Sequence, residues 1–208
     1  MSWWIWIGAV LAYAAFRAWY DNWRGPLTRA EIDAFMAKLK GTPSAEHNDP
    51  EVLRSFLEKD DGREFVMLNV VKVAPGDAPH PRTGAPTPGA ELLRKYTGSF
   101  VPALMRRAGH PAVVGRKVGG YVDAWRVPPD PGWSIFGTMR YRSRRDMMIL
   151  VTDPRFLEMH PFKIAGVAET FSFPTQTMMM LYFGPRVWVA MGIVLVAALA
   201  QIAVLSAR

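Results

Sequence analysis

The 208-residue chain contains no cysteine and four histidines. It has no cysteine pair and no closely spaced histidine pair, so the usual ligand patterns of zinc sites are absent and no metal site is predicted. It also lacks a glycine-rich phosphate loop and a serine nucleophile elbow. These absences remove most of the support for hydrolases and nucleotide-dependent enzymes. The lack of cysteine is compatible with either redox compartment.

Charge is missing from the long run Val187 to Ala207. At about 1.5 Å per residue this run reaches about 31 Å, close to the roughly 30 Å thickness of the hydrocarbon core of a bilayer. Gln201 is its only strongly polar residue, and we interpret it as a partner in an interhelical hydrogen bond rather than part of a transport path. Segment 178–208 is therefore predicted to contain a transmembrane helix.

Segment 1–23 is predicted to contain a second transmembrane helix. Ser2 to Phe16 is uncharged, and Arg17 can extend its side chain toward the interface. A cleaved signal peptide is the alternative, but no basic region precedes the apolar run. Aromatic residues lie at both ends of the segment, as in interfacial belts: Trp3, Trp4, Trp6, Trp19, Tyr20 and Trp23.

Basic residues indicate the orientation, because Lys and Arg are retained on the cytoplasmic side. None precedes the first apolar run, whereas Arg17, Arg24 and Arg29 follow its start and Arg186 precedes the second run. We predict a two-pass protein of the bacterial inner (cytoplasmic) membrane, with a cytoplasmic central domain and both termini on the opposite side. The net charge of +7 favours an anionic membrane surface or an acidic partner, and no nucleic acid is predicted.

Both predicted helices contain small residues four positions apart, a spacing that lets a neighbouring helix approach closely. The predicted helix-packing residues are Gly8, Ala12, Ala203 and Ala207.

The region between the helices is predicted to form a helical lead-in, 24–64, and an α+β domain, 65–177. Thr28 and Glu31 form a possible capping box in the lead-in. Segment 74–90 has five prolines and three glycines, which predicts an extended loop. The other elements of the domain follow the strand, helix, strand, strand, helix, strand order of the ferredoxin-like fold. They are Phe65 to Val73, Glu91 to Ala108, Ala112 to Val118, Trp133 to Tyr141, a helix that starts near Ser143 and restarts at Asp153, and Glu169 to Phe173.

Several of these segments resemble a known family. Phe65 to Lys72 resembles the first strand of small ferredoxin-like proteins of the dimeric α/β-barrel superfamily, in particular an uncharacterised bacterial family within it. Arg140 to Arg145, Asp153 to Phe156 and Ala168 to Thr170 are similar to the later strand, helix and last strand of that family. The resemblance covers residues 27–175 and implies a fold rather than one activity, because relatives include cofactor-independent monooxygenases and haem proteins. The flanking helices and segment 74–90 are not part of that small soluble pattern.

The resemblance implies a sheet with helices on one face, so the other face needs a cover. Strand Phe65 to Val73 is largely apolar on both faces. We therefore expect a second copy of the chain, or another protein, to cover the open face.

The resemblance to haem-degrading relatives implies one catalytic hypothesis. It joins Asn69 and His160, with Trp133 or Tyr141, in the cleft between sheet and helices, because a neutral imidazole can ligate iron. Haem is thus the alternative cofactor, and none is predicted otherwise. Asn69 could instead bond to a neighbouring strand, and Pro161 could disturb the helix at His160.

The densest basic cluster comprises Arg140, Arg142, Arg144 and Arg145. Two interpretations remain open: an anion or phospholipid head-group site, and a solvated rim of the domain.

These features favour a non-catalytic accessory or scaffold subunit of a larger membrane complex, for which a respiratory or photosynthetic complex is a plausible host. Other membrane-protein subunits and the bilayer are the expected partners. The alternative is a membrane-tethered monooxygenase or haem-binding enzyme of the dimeric α/β-barrel superfamily. A homodimeric module that binds a hydrophobic small molecule from the bilayer is the third interpretation.

Overall fold

The computed structural model describes residues 2–42 and 45–207, which fall into two compact units. The terminal unit combines Met1–Trp23 with Thr177–Arg208, and the central unit is Arg24–Gln176. In chain order the elements are α1 (Trp3–Tyr20), α2 (Arg29–Leu39), a single 3-10 turn (Ala45–His47), α3 (Pro50–Glu58), β1 (Phe65–Val73), β2 (Asp77–Pro79), β3 (Pro86–Pro88), α4 (Gly89–Met105), β4 (His110–Arg116), β5 (Ile135–Tyr141), α5 (Arg144–Val151), α6 (Pro154–Leu157), α7 (His160–Gly166), β6 (Val167–Thr175) and α8 (Pro185–Ser206).

Helices α1 and α8 of the terminal unit pack antiparallel. At one end the backbone N–H of Ser2 donates to Oε1 of Gln201 at 2.9 Å. At the other end the Asp21 carboxylate accepts a hydrogen bond from Nε of Arg186 at 2.8 Å and pairs with Arg17. The predicted interhelical hydrogen bond of Gln201 is confirmed.

The outer faces of these helices are apolar and exposed. Trp3 on α1 is 68% exposed and Val196 on α8 is 67% exposed. Within residues 2–42 and 45–207, α8 is the helix whose length and composition suffice to cross a bilayer. The shorter α1 contains 18 residues, including Arg17, and does not meet the same measure. The sequence predicts two transmembrane helices. Length and composition support the C-terminal one, α8, and do not support α1 by the same measure.

The predicted helix-packing residues do not form the contact between α1 and α8. Gly8, Ala12, Ala203 and Ala207 are all exposed, and a Cβ atom on Gly8 would have no atom within 4 Å beyond its own helix backbone and chain neighbours. The two helices turn another face toward each other, and the buried residues of that face are Ile5, Tyr20, Ala197 and Gln201.

The central unit is an α+β structure, as predicted. Its main sheet is antiparallel and four-stranded, with the order β4-β5-β1-β6. The central strand β1 pairs Met67 with Met139 of β5 and Leu68 with Phe173 of β6. With α4 after β1 and α5 to α7 after β5, the chain follows the predicted strand and helix order. Helix α4 ends at Met105 rather than Ala108, because Ala108 adopts a left-handed backbone conformation with φ 55°.

Helices pack on one face of this sheet. Phe65 of β1 stacks on Tyr141 of β5 with ring centroids 5.1 Å apart, and Phe56 of α3 meets Phe65 edge to face at 5.2 Å. Residues from the lead-in belong to the same core, including Ile32 of α2 and Leu57 of α3. The predicted capping box of Thr28 and Glu31 is present at the start of α2.

The proline-rich segment differs from the extended loop that its composition predicts. Strands β2 and β3 form a small antiparallel hairpin in which Ala78 faces Thr87 and Pro79 faces Pro86. Thr87 is buried, and Gly84 takes a φ of 72° in the turn. A ladder this short needs few backbone donors, so prolines are tolerated at its ends.

A candidate ligand cavity between the sheet and the helices

A mainly apolar cavity of about 570 Å³ lies between the sheet and its covering helices. Met67, Asn69 and Val71 alternate with outward residues along β1 and therefore line the same side of the cavity. Gly137 of β5 stands opposite Asn69 and adds no side chain to the space. The volume is in the range usual for sites of small molecules.

The cavity adjoins a wider recess of about 850 Å³ beside the edge strand β6. Both are lined by Met67, His160 and Lys163, so the recess and the cavity lie side by side. Asp49 and Glu169 add acidic groups to the recess.

Tyr96 of α4 is flanked by two basic side chains of α7. The Nζ atom of Lys163 lies 5.9 Å from the centroid of the Tyr96 ring. The rings of His160 and Tyr96 meet at a steep angle with centroids 6.2 Å apart. The spacing of three residues places His160 and Lys163 on one side of α7.

Lys163 has no acidic partner within residues 2–42 and 45–207. Burial lowers the pKa of its amine, because desolvation disfavours the charged form. An ammonium in apolar surroundings without a counter-ion is unfavourable. Among the described residues, Lys163 is therefore a basic group of the cavity that no acid pairs with.

Two phenol groups also line the cavity. Burial raises the pKa of both Tyr96 and Tyr141, and the nearby Tyr96 adds to the effect on Tyr141. Neither hydroxyl makes a hydrogen bond to another residue in the described part of the chain. Both phenols remain protonated at neutral pH and can donate to a ligand.

His160 is half-buried at the start of α7. Its ring meets Phe156 edge to face with centroids 4.9 Å apart. Desolvation, assisted by the charge of Lys163, lowers the pKa of the imidazole, so His160 is neutral at neutral pH.

Among the predicted catalytic residues, Asn69, Tyr141 and His160 line the cavity. The Asn69 amide donates to the carbonyls of Met67 and Gly137 at 3.1 and 3.2 Å, and its oxygen accepts from Ser172 at 2.8 Å. These bonds correspond to the interpretation in which Asn69 serves neighbouring strands.

Trp133 lies farther out, in the recess beside β6. Its indole N–H donates to the Tyr121 hydroxyl at 2.9 Å, and its ring packs on Phe171. It does not line the cavity that contains Asn69 and Tyr141. The sequence reasoning missed Lys163 and Tyr96. The spacing of His160 and Lys163 is visible in the sequence, but the missing counter-ion is not.

The four arginines of the predicted basic cluster are tied to acids of the central unit. Arg145 also donates to the backbone carbonyls of Gly25 and Pro26 at 3.0 and 2.8 Å, which joins the lead-in to α5. The guanidinium groups therefore already have partners within the central unit, and an anion or phospholipid head-group site at this cluster stays a prediction. The shortest pairs are Arg140 with Glu64 at 2.5 Å, Arg142 with Asp146 at 2.6 Å, Arg144 with Asp60 at 3.5 Å and Arg145 with Glu31 at 2.8 Å.

The other face of the sheet carries an exposed apolar strip. Phe136, Phe171 and Phe173 are 41%, 44% and 46% exposed. Phe171 and Phe173 stack with centroids 6.3 Å apart, and the register places Val70 of β1 between Phe136 and Phe171. We call the set Val70, Phe136, Phe171 and Phe173 the outer strip.

No protein-family model matches the chain, and no curated protein matches it. Among solved structures, RPA0582 of Rhodopseudomonas palustris, described as a protein of unknown function, is similar with a TM-score of 0.54 and 22% identity. That match covers 64% of this chain and 96% of RPA0582. The methylated form of RPA0582 gives a TM-score of 0.54 at 23% identity, covering 65% and 96%. At this identity the similarity shows the fold alone, and roughly a third of this chain lies outside it.

Proposed function

We propose that this chain is a two-pass protein of the bacterial inner membrane and a non-catalytic accessory subunit of a larger membrane complex. Its central unit, a domain of the dimeric α/β-barrel type, lies in the cytoplasm and docks a partner on the outer strip. The observation that carries the proposal is the partial exposure of three phenylalanines on one sheet face, Phe136, Phe171 and Phe173.

The exposed strip supports docking because a sheet covered by helices on one face leaves its other apolar face in water. Contiguous exposed apolar patches mark interaction sites more often than isolated apolar residues do. A respiratory or photosynthetic complex remains the host suggested by the sequence. A second copy of this chain would cover the same strip and give a homodimer.

The antiparallel packing of α1 on α8 supports the two-pass topology. Two helices that leave apolar side chains exposed over most of their surface resemble a membrane hairpin. The ion pairs of Asp21 with Arg17 and Arg186 gather charge at one end of that hairpin. Basic residues at this end favour the cytoplasmic side.

Copurification tests the accessory-subunit proposal. Membranes that contain the tagged chain would be extracted in mild detergent, sized by native separation and analysed by mass spectrometry. We expect a stable assembly with other membrane subunits at fixed ratio, and a Phe171→Ser, Phe173→Ser variant that loses them. A matched Val52→Ser variant, altered on the exposed part of α3, should keep them. Purification of the chain alone, or as a homodimer without other subunits, would contradict the proposal.

A membrane-tethered monooxygenase or haem-binding enzyme of the same superfamily is the second candidate, and the cavity favours it. Neutral His160 is of the right chemical type to ligate iron there. Asn69, however, already uses its amide within the sheet. Addition of haem to the purified chain should produce a Soret band that His160→Ala abolishes. The absence of that band, or its persistence in the variant, would exclude this candidate.

A further inference from the structure

The cavity differs in chemistry from the rest of the central unit. The buried cations of that unit, such as Arg140 and Arg145, are paired with acids. Lys163 is half-buried beside the Tyr96 ring, and it forms no ion pair with an acid of the described residues. The arginines have counter-ions within the central unit, whereas the Lys163 amine is available to pair with an anion from outside the chain.

Two phenols contribute to a polar lining that also includes Asn48, Asn69, Thr97, His160, Thr170 and Ser172. Tyr96 and Tyr141 both line the cavity, and neither hydroxyl is bonded to a residue of the described ranges. A protonated amine and two phenols are all hydrogen-bond donors, so the part of the lining formed by Lys163, Tyr96 and Tyr141 is complementary to an acceptor. A carboxylate is an acceptor that also carries the charge that Lys163 lacks.

The apolar part of the cavity lining determines which chemical groups the rest of the ligand can carry. It is supplied mostly by carbon, from the strand residues Met67 and Val71 and from Leu93 and Phe100 of α4. Arg94 also lines the cavity, but it is exposed to solvent. A ligand that fits has one anionic end and an apolar body, since a second charge would have no buried partner.

We propose that this cavity binds an apolar monocarboxylic acid, with its carboxylate against Lys163 and the hydroxyls of Tyr96 and Tyr141. None of the residues of the outer strip lines the cavity itself, although Phe171 borders the adjoining recess, and the site does not depend on the docking proposal. The apolar body lies between the strand residues of β1 and β5 and helix α4.

Paired probes of equal shape test this site in the full chain. Titration calorimetry on the protein in lipid nanodiscs would compare 2-naphthoate with 2-naphthamide, and octanoate with octanamide. Empty nanodiscs would correct for partition into lipid. We expect each acid to bind at least about tenfold more tightly than its amide, which corresponds to about 1.4 kcal/mol.

Lys163→Met should remove the preference for the acid, lowering its affinity at least tenfold while that of the amide changes less than about threefold. Tyr141→Phe should lower the acid affinity several-fold and serves as a second variant if Lys163→Met folds poorly. Lys95→Met is the matched control, because this α4 lysine is exposed and paired with Glu91. Equal affinity for acid and amide, no binding of either acid, or unchanged acid binding in both cavity variants would overturn the proposal.

Discussion

The ammonium of Lys163 lies 5.9 Å from the centre of the Tyr96 ring, on the cavity side of α7. Attraction to the ring face offsets a part of the desolvation of the amine. It does not restore the stability that a carboxylate partner would give. The proposed site therefore lowers the stability of the ligand-free protein in exchange for ligand binding, a pattern common at functional sites.

Replacing this amine should stabilise the protein without ligand. Because burial lowers the folded-state pKa of Lys163, its charged form disfavours the fold at every pH below that pKa. Lys163→Met should thus raise the free energy of unfolding at pH 7 by about 1 kcal/mol. Denaturant titration of the reconstituted chain measures the change.

Lys117→Met is the matched control for that measurement. Lys117 pairs with Asp130, so its loss should leave stability unchanged or lower it. A Lys163→Met variant less stable than the original chain would show that the amine has a structural role.

Arg145 should stabilise the protein because its guanidinium joins α5 to Glu31 of α2 and to the backbone at Gly25 and Pro26. Its guanidinium bonds to Glu31 and to two carbonyls of the lead-in, and lysine cannot reproduce this fork. Arg145→Lys should lower the free energy of unfolding by about 1–2 kcal/mol at pH 7. Arg106→Lys, at an exposed position, should change it by less than about 0.5 kcal/mol.

The same ion pair predicts a pH dependence. The Arg145 hydrogen bond lowers the pKa of Glu31 from 4.5 to about 2. Since the folded-state pKa is depressed, the stabilisation is fully present above about pH 4.5 and is lost as pH falls through about 2. The difference between the original chain and a Glu31→Gln variant should shrink across this range in acid denaturation. A difference independent of pH would contradict the assignment.

The absence of cysteine allows a clean test of topology. Single cysteines would replace Ser99, exposed on α4 of the central unit, and Ser206, exposed at the end of α8. In intact spheroplasts a membrane-impermeant maleimide should label Ser206→Cys and leave Ser99→Cys unlabelled until the membrane is opened. The reverse pattern would invert the proposed orientation, and labelling of both sites would exclude a two-pass arrangement.

Local signals allowed much of the central fold to be predicted. The limits of β1 follow from an apolar, β-rich run that begins after the turn at Asp61 and Gly62, and β1 has its predicted bounds. The caps of α2 and α5 are short-range patterns and are present at Thr28 and Ser143. The hairpin of β2 and β3 was missed because proline-rich composition resembles that of an open loop.

The candidate site depended on contacts that sequence spacing does not reveal. Arg145 and its partner Glu31 are 114 residues apart, so the cluster of arginines resembled an exposed patch. Tyr96 and Lys163 meet only because α4 and α7 pack side by side on the sheet. Whether a charged side chain has a counter-ion is a property of the folded chain, and the sequence alone could not distinguish Lys163 from an ordinary surface lysine.

Photo-crosslinking from the outer strip tests the central claim most directly. A benzophenone amino acid would replace Phe173, 46% exposed on β6, or Val52, 66% exposed on α3, and cells would be irradiated before extraction. The account predicts one discrete adduct from position 173 and none from position 52, with mass spectrometry identifying another membrane subunit as the captured protein. No adduct at position 173, or the same products from both positions, would contradict the claim that this sheet face docks a partner.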